Sequence, residues 1–532
     1  MISESFVTYS IRQCLSECLD KAMISSLEIV ATAIKEVIGK LDSPMQLAII
    51  GKVSSSKSTL VNAILGKAEI VGMGQMEKTY NVCWLKYGSS NKDVKAVLKN
   101  GEYLMIPRKD WEIRDNPEST VPKEDIEYYE VTYEHEILKS INIIDTPGLD
   151  SVKGTDSRNT INFLRNIRPD AVILLFTKAL AESTLSVVRD FQMHEGLSFT
   201  ISPLNAIGLL SKTDYLWNID DEIRPNLKAV RDIINGNIYK LFPEVKNTLF
   251  TILPICSMLG LASKTINEND ISALNRLSSC VLNDNLTDIL SNPDDFLEGC
   301  QADMLTQDER KNLYRKFGLY GIFEAIKLGH KVTLDKKNLS SLFRNISGLG
   351  DFESCLYAHF SHRSILIKTQ NAGTIISAAC DRQRQSCTQD LSLRSIVDSI
   401  QNDVLTCLMK IFEYKQLDYL KRIYENGMNI NNEIALEEYK RVCGENGASA
   451  VDKLGMTGQP PVDAMMALAQ KRSVEWNYEY QCTYYRSLTD SELYKMLALS
   501  YEMLHKDIKE VYEKMSNAEK VISTAKTFLY GK

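Results

Sequence analysis

The 532-residue chain has no apolar run of the roughly 18 residues that a membrane-spanning helix needs. Its longest candidate, Leu249 to Ala262, is interrupted by Pro254 and Gly260. The opening segment MISESFVTYS lacks a basic stretch leading into an apolar one, so no secretory signal is read there. The twelve cysteines form no CxxC pair and follow no regular spacing, which argues against a zinc site and a disulfide framework. Cys14 and Cys18 fall one helical turn apart on an apolar stripe and read as core packing in a reducing compartment. Positive charge is not in excess: 62 Lys+Arg stand against 69 Asp+Glu, a formal net charge of −7, which argues against a nucleic-acid partner. There is no repeat of about 20–50 residues and no low-complexity tract. These absences predict a soluble, cytoplasmic chain. With 44% apolar and 25% charged residues it is not wholly disordered, and it exceeds the roughly 250–300 residues at which one core stops growing. Two or more domains are expected.

What is present changes character twice. Over residues 6–41 the positions Leu15, Leu19, Met23, Leu27, Val30, Ile34, Val37 and Leu41 recur in steps of three and four, predicting one amphipathic helix of roughly 50 Å. From Met45 to Ser257 short apolar runs alternate with helical segments. The runs are Leu47–Ile50, Asn81–Tyr87, Asp93–Ile106, Tyr128–His135, Ser140–Ile144, Ala171–Phe176, Ala206–Leu210 and Leu249–Ile255, with a hairpin at Asn100-Gly101. Ile161–Ile167, Leu185–Phe191 and Ile223–Leu241 read as the helices between them. This alternation predicts an α/β domain with a mostly parallel sheet. A polar, mixed stretch, about 260–345, reads as a helical insertion, and Phe352–Phe360 as a helix. Beyond Arg363 two stripes, Leu393 to Ile411 and Leu493 to Ile522, read as long helices, with the segment 444–470 broken by Pro460-Pro461. The expected organisation is an N-terminal helix (1–41), an α/β domain (42–362) and an extended all-α bundle (363–532). The single stripe of the N-terminal helix would join that bundle.

Chemistry concentrates at strand ends. GKVSSSKST follows the strand LAII and opens a helix, Lys57–Leu65, that Gly66 is placed to cap. In that setting Gly51 opens a loop whose backbone N–H groups at residues 54 to 59 (Ser54, Ser55, Ser56, Lys57, Ser58 and Thr59) would point at phosphates. Lys57 would bridge β- and γ-phosphate oxygens and the Ser58 hydroxyl would ligate Mg²⁺. Ser56 stands where a second glycine is usual, and a positive φ there would cost about 1 kcal/mol. The alternative is a serine-rich helix cap. Asp145-Thr146-Pro147-Gly148 ends the strand Ile141–Ile144, placing Asp145 to hold Mg²⁺ and the Gly148 N–H to approach a γ-phosphate; the alternative is a plain turn. Ser211-Lys212-Thr213-Asp214 ends another strand. Asp214 could accept from guanine N1–H and N2–H₂ while the Lys212 stem lies along the base, with Ser211 as a short brace. Thr79, the only Thr between Thr59 and Thr120, is the candidate Mg²⁺ and γ-phosphate ligand of a loop, and Cys256-Ser257 would turn backbone N–H groups toward guanine O6. The order of these motifs, each at a strand end, is what makes them a GTP/GDP site.

With these residues the chain resembles the dynamin superfamily, particularly bacterial dynamin-like GTPases. GKVSSSKSTLVNAILG looks like the family's first motif, KTYNVCWLKYG its switch Thr and second strand, IDTPGLDS and LLSKTD the next two, and SGLGDFESCL the last helix of its GTPase domain. The resemblance runs from residue 42 to about 362, with architecture alone beyond; no residue singles out a LeoA-type member. It implies that Ser54 helps position the attacking water or stabilise charge, that subunits pair across the nucleotide face as homodimers or as heteromers with a related GTPase, and that the bundle contacts a membrane peripherally. Val53, Leu149 and Asp150 stand where the family resemblance would place a catalytic Gln, so no side-chain base is visible and turnover is expected to be slow. The segment 444–470, with Met456, Met465 and Met466, is either a membrane tip or an interhelical connection whose Met residues join the core, and its low positive charge weakens attraction to anionic lipid. The expected function is a dynamin-like GTPase of membrane remodelling. The rivals are a nucleotide-free scaffold, an Era-like GTPase, which would need a basic RNA-binding domain, and an ATP-specific enzyme, which Lys212 and Asp214 disfavour.

Overall fold

The computed structural model describes residues 6–52, 55–68, 70, 82–108, 111, 125–147, 169–177, 203–217, 230, 233–241, 243, 245–281, 286–298, 304–387, 390–426, 430–447, 449–484 and 487–514. The chain divides into two compact units. One runs over Gln46–Gln192 and Asn205–Glu353; the other takes in Met1–Met45, Met193–Leu204 and Ser354–Lys532.

The first unit is built on nine strands: β1 (Met45–Gly51), β2 (Val82–Tyr87), β3 (Val94–Leu98), β4 (Tyr103–Ile106), β5 (Ile126–Tyr133), β6 (Ile141–Asp145), β7 (Ala171–Phe176), β8 (Ala206–Ser211) and β9 (Ile252–Ile255). Their order across the sheet is β4-β3-β5-β2-β6-β1-β7-β8-β9. The pairs β1–β7, β7–β8, β8–β9 and β2–β5 are parallel, and β2–β6, β3–β4 and β3–β5 antiparallel. Strands β7 and β8 are buried along their whole length, which is why they read as continuous apolar runs rather than as alternations. The expected strand at Leu249–Ile255 starts later, at Ile252, and carries Pro254; as the last strand of the sheet it tolerates a residue with no N–H. At the other edge, Tyr103, Leu104 and Met105 of β4 are exposed.

Helices follow the last strand. They are α4 (Ser257–Thr265), α5 (Glu268–Cys280), α6 (Gln307–Gly329), α7 (Lys336–Ile346) and α8 (Leu349–Cys355), with α3 (Lys57–Leu65) lying earlier, behind β1. Phe317 stacks on Phe343 at 4.9 Å within a core that joins α4 to α7. Capping boxes at Asn267, Thr306 and Asp335 start three of these helices where the polar composition hid the apolar periodicity.

The second unit is helical. Its N-terminal part differs from the single helix expected over 6–41: two helices form, α1 (Phe6–Ile24) and α2 (Glu28–Asp42). Ser26, at φ 54°, turns the chain between them. The heptad-like count runs on across the break, so spacing alone could not reveal it. Folding back lets both short stripes bury against α9 (Ser364–Ser386) and α10 (Leu391–Met409) around Leu15, Val30, Ile34, Ile376 and Ile400. The helix expected at Phe352–Phe360 is α8 followed by a π-helical stretch, Leu356–His362. In the same way the described part of Ile223–Leu241 is π-helical at Ile233–Ile238 before Tyr239–Leu241. Further along lie α11 (Glu413–Asn426), α12 (Glu433–Val442), α13 (Ala450–Leu454), α14 (Val462–Thr483) and α15 (Leu488–Lys514). The segment 444–470 is therefore not one loop: α13 and the start of α14 occupy most of it, and Met465 is buried. Among the described residues no helix is long and apolar enough to cross a membrane. Ile161–Ile167, Leu185–Phe191 and Ile522 lie outside the described residues.

Candidate functional site

Strand β1, in the interior of the sheet, carries Gly51 at its carboxyl end. A Cβ at Gly51 would stand 2.4 Å from the Leu175 carbonyl oxygen, so only glycine lets β1 approach β7 this closely before the loop leaves. The loop re-enters as α3 at Lys57. Ser56 sits at φ 70°, ψ 27°, and its side chain makes no capping hydrogen bond, so the loop is not an ordinary serine cap. Only three non-glycine residues among those described have positive φ, and two of them, Ser56 and Lys212, belong to the site motifs. Such strain gathers where the surrounding structure has a use for it. The far end of α3 closes on Gly66 at φ 72°, as its position suggested.

The Lys57 ammonium is buried and donates to the carbonyls of Gly51 (3.0 Å) and Lys52 (2.9 Å). Burial pushes it down to about 8, while the charge of Asp145 pulls the other way. Next to it the Ser58 hydroxyl donates to Asp145 Oδ2 at 2.8 Å. Asp145 is fully buried at the end of β6, and the following Thr146 donates to the Ile49 carbonyl at 2.7 Å, locking this strand end onto β1. Sequence reasoning passed over Thr146; a hydroxyl directly after a buried strand was the available signal. Ser58 and Asp145 thus bring two hard oxygen donors together beside a lysine. That set suits Mg²⁺, which takes one or two protein oxygens and completes its shell with water and phosphate oxygens.

The third motif leaves β8. Ser211 donates to the Phe176 carbonyl of β7 at 3.1 Å, so its hydroxyl is committed to the sheet. Lys212 takes φ 57°, and its ammonium stands 5.3 Å from the Tyr215 ring. Asp214 follows in a short 3-10 turn. Desolvation raises its carboxyl above the usual range, and the Cys256 thiol, hydrogen-bonded to it, pulls it part of the way back. Cys256 is itself buried and its thiol is held well up by that burial. Strand β9 ends there, so the fourth motif meets the third across the β8–β9 pair. The Cys256 N–H already donates to the Ser347 carbonyl at 2.8 Å, which leaves Ser257, the first residue of α4, to present a backbone N–H. Ser347 had no local signal, because its role depends on the return of the chain after the helical segment. Ser55 is buried beside Gly51 and Thr59 lies in the first turn of α3. Ser54, Thr79 and Gly148 lie outside the described residues, as do Val53, 71–79 and 149–157. Among the described residues no group of three or more His, Cys, Asp or Glu side chains is arranged to hold a metal; a site using Ser58 and phosphate oxygens is of another kind.

The dynamin family model matches residues 47–196. The isoniazid-induced protein IniC of Mycobacterium tuberculosis is 23% identical over 427 residues, covering 78% of this chain and 81% of that protein. Dynamin-like protein 2 of Campylobacter jejuni is 27% identical over 140 residues, 25% of this chain and 21% of that protein. A solved structure of an oligomerised bacterial dynamin pair, described as a mechanism for long-range sensing and tethering of membranes, covers 97% of this chain and 80% of its own at 15% identity and a TM-score of 0.32.

Proposed function

We propose that this chain, a bacterial dynamin-like protein whose residues 47–196 belong to the dynamin family, binds and hydrolyses GTP. The observation that carries the reading is the hydrogen bond from Ser58 to Asp145, which joins the loop after β1 to the end of β6 beside the buried Lys57. Lys57 exchanges its two carbonyl partners for phosphate oxygens, and Ser55 to Thr59 supply backbone N–H groups around them. Ser58 and Asp145, with Thr79, would hold Mg²⁺, which when bound would supply positive charge against that developing on the phosphates. Asp214 accepts from the guanine N1–H and N2–H₂, the Lys212 stem covers the base, and the Ser257 N–H faces O6. Ser54 and the backbone near Gly148 orient the attacking water.

With no side-chain base in sight, turnover is slow in the isolated subunit and rises when two GTPase units face each other, as a homodimer or with a related GTPase. Ordering of 67–79 and 149–157 by the γ-phosphate is what the helical bundle, residues 1–41 and 363–532, reads out. The family resemblance supports peripheral contact of that bundle with a membrane. Titration with GDP and a GTP analogue tests the site: no binding at high micromolar nucleotide rejects the enzyme and leaves the scaffold reading, which the commitment of Ser211 to β7 favours. GTP turnover measured against protein concentration, with and without liposomes, tests the rest. A rate per molecule that stays flat rules out pairing across the site.

A further inference from the structure

Strand β9 is the last of the sheet, so its carboxyl end has a neighbouring strand on one side only. The Gly208 N–H of β8 donates to the Thr251 carbonyl, and alternation along the strand points the backbone groups of Leu253 and Ile255 the same way. Pro254 and Cys256 therefore turn their backbone polar groups to the free edge. Pro254 carries no N–H, which leaves that edge unsuited to a further strand.

The turn between α7 and α8 takes that place. The Cys256 N–H donates to the Ser347 carbonyl at 2.8 Å. Gly348, at φ 73°, lies directly on the Pro254 carbonyl, where a Cβ would stand 2.4 Å from the oxygen. Ser347 is buried, and its hydroxyl sets the turn by donating to the Arg344 carbonyl (3.0 Å) and accepting from the Leu349 N–H (3.2 Å). Leu349, fully buried, closes on α4: a Cβ on Gly260 would come within 3.3 Å of its side chain.

We propose that Ser347 and Gly348 are positioning residues for base recognition, holding Cys256-Ser257 so that the Ser257 N–H faces guanine O6, an assignment that rests on the guanine-nucleotide reading of the site. A strand end gripped on one side only can lift, and fixing its N–H before the ligand arrives removes an ordering cost from binding. The grip is made by backbone. At Gly348 any side chain both strains the positive φ and pushes on the Pro254 carbonyl, two residues before Cys256. Asp214 is braced separately. The Trp217 N–H closes its turn onto the Asp214 carbonyl at 3.2 Å, and the Trp217 ring packs 5.0 Å from Phe323 and 5.7 Å from Tyr320 of α6. Recognition of O6 and recognition of N1–H with N2–H₂ are therefore separable by mutation.

The test is competition titration of the full chain with three nucleotides: GDP, 6-thio-GDP, in which a weak acceptor replaces O6, and inosine diphosphate, which lacks the 2-amino group. The wild type should prefer GDP over both. Gly348→Ala should narrow the preference for GDP over 6-thio-GDP about fivefold, the worth of one hydrogen bond, and leave that over inosine diphosphate within about twofold. Ser347→Ala, which keeps the carbonyl but releases the turn, should move the same ratio in the same direction, and it decides the matter should Gly348→Ala fail to fold. Unchanged ratios, with or without an equal loss of affinity for all three nucleotides, are what a merely structural role gives and overturn the proposal. So does a fall in both ratios together, or a wild type that binds GDP and 6-thio-GDP equally. A wild-type chain that binds no GDP rejects the guanine site itself, and the proposal with it.

Discussion

Ser56 holds an L-residue at φ 70° in the loop proposed to meet phosphate, where a glycine would carry no Cβ penalty. Ser56→Gly should raise stability by about 0.5–1 kcal/mol, the steric relief being offset in part by the entropy glycine returns to the unfolded chain; urea denaturation would measure it. Recognition of the base is a second residue-scale matter. If Asp214 accepts from guanine as proposed, Asp214→Asn turns one of its two acceptors into a donor, so GDP affinity should fall at least about tenfold while xanthosine diphosphate gains, as competition titration would record. A third concerns His359, buried in the helical unit with Nε2 2.7 Å from the Leu204 carbonyl, which requires Nε2 to carry the proton. Burial, aided by the charge of Arg363, pushes its imidazole down to about 3. In the unfolded chain it titrates near about 6.5, so between these values only the unfolded state takes up the proton. Stability is full above about pH 6.5 and is lost as pH falls through the window; His359→Gln should flatten that dependence in denaturation at about pH 5 and 7.

Among the elements, β7 coincided with its apolar run residue for residue and β8 ran one residue past its own, because strands buried on both faces leave no other reading for a short apolar segment. The Asn100-Gly101 hairpin was legible for a different reason: Gly101 takes φ 86°, a conformation that few residues accept. The break at Ser26 was not legible. A serine pair within an unbroken stripe is compatible with helix, and the turn, closed by backbone bonds such as Leu27 N–H to the Ala22 carbonyl, is favoured over a straight helix by what α1 and α2 bury together with α9 and α10. That burial is the energetic core of the helical unit. Ile34→Ala, at a fully buried position of α2, should cost about 2–5 kcal/mol in chemical denaturation by removing methyl groups the cluster cannot refill. A cost under about 0.5 kcal/mol would mean that α2 is not held by this cluster.

For the whole molecule, the net charge of −7 sets how it meets other surfaces. With no excess of Lys and Arg, attraction to anionic lipid contributes little, so any co-sedimentation with vesicles should be nearly unchanged between low and high salt and between neutral and anionic composition. Strong salt dependence would locate a basic face that the composition conceals. The residue types proposed to meet phosphate and guanine were readable along the chain because each motif is local: a loop after a strand constrains its own backbone, and Gly51, Lys57, Ser58, Asp145 and Asp214 stand at the strand ends and loops where their motifs were expected. Tertiary structure alone decided the relations between motifs. The bond from Ser58 to Asp145, the turn of Ser211 toward Phe176, the capture of the Cys256 N–H by Ser347 and the contact of Cys14 with the Asp403 carbonyl all join residues remote in sequence. No periodicity encodes them, because such contacts depend on which buried surfaces close on one another and not on the spacing within any one segment.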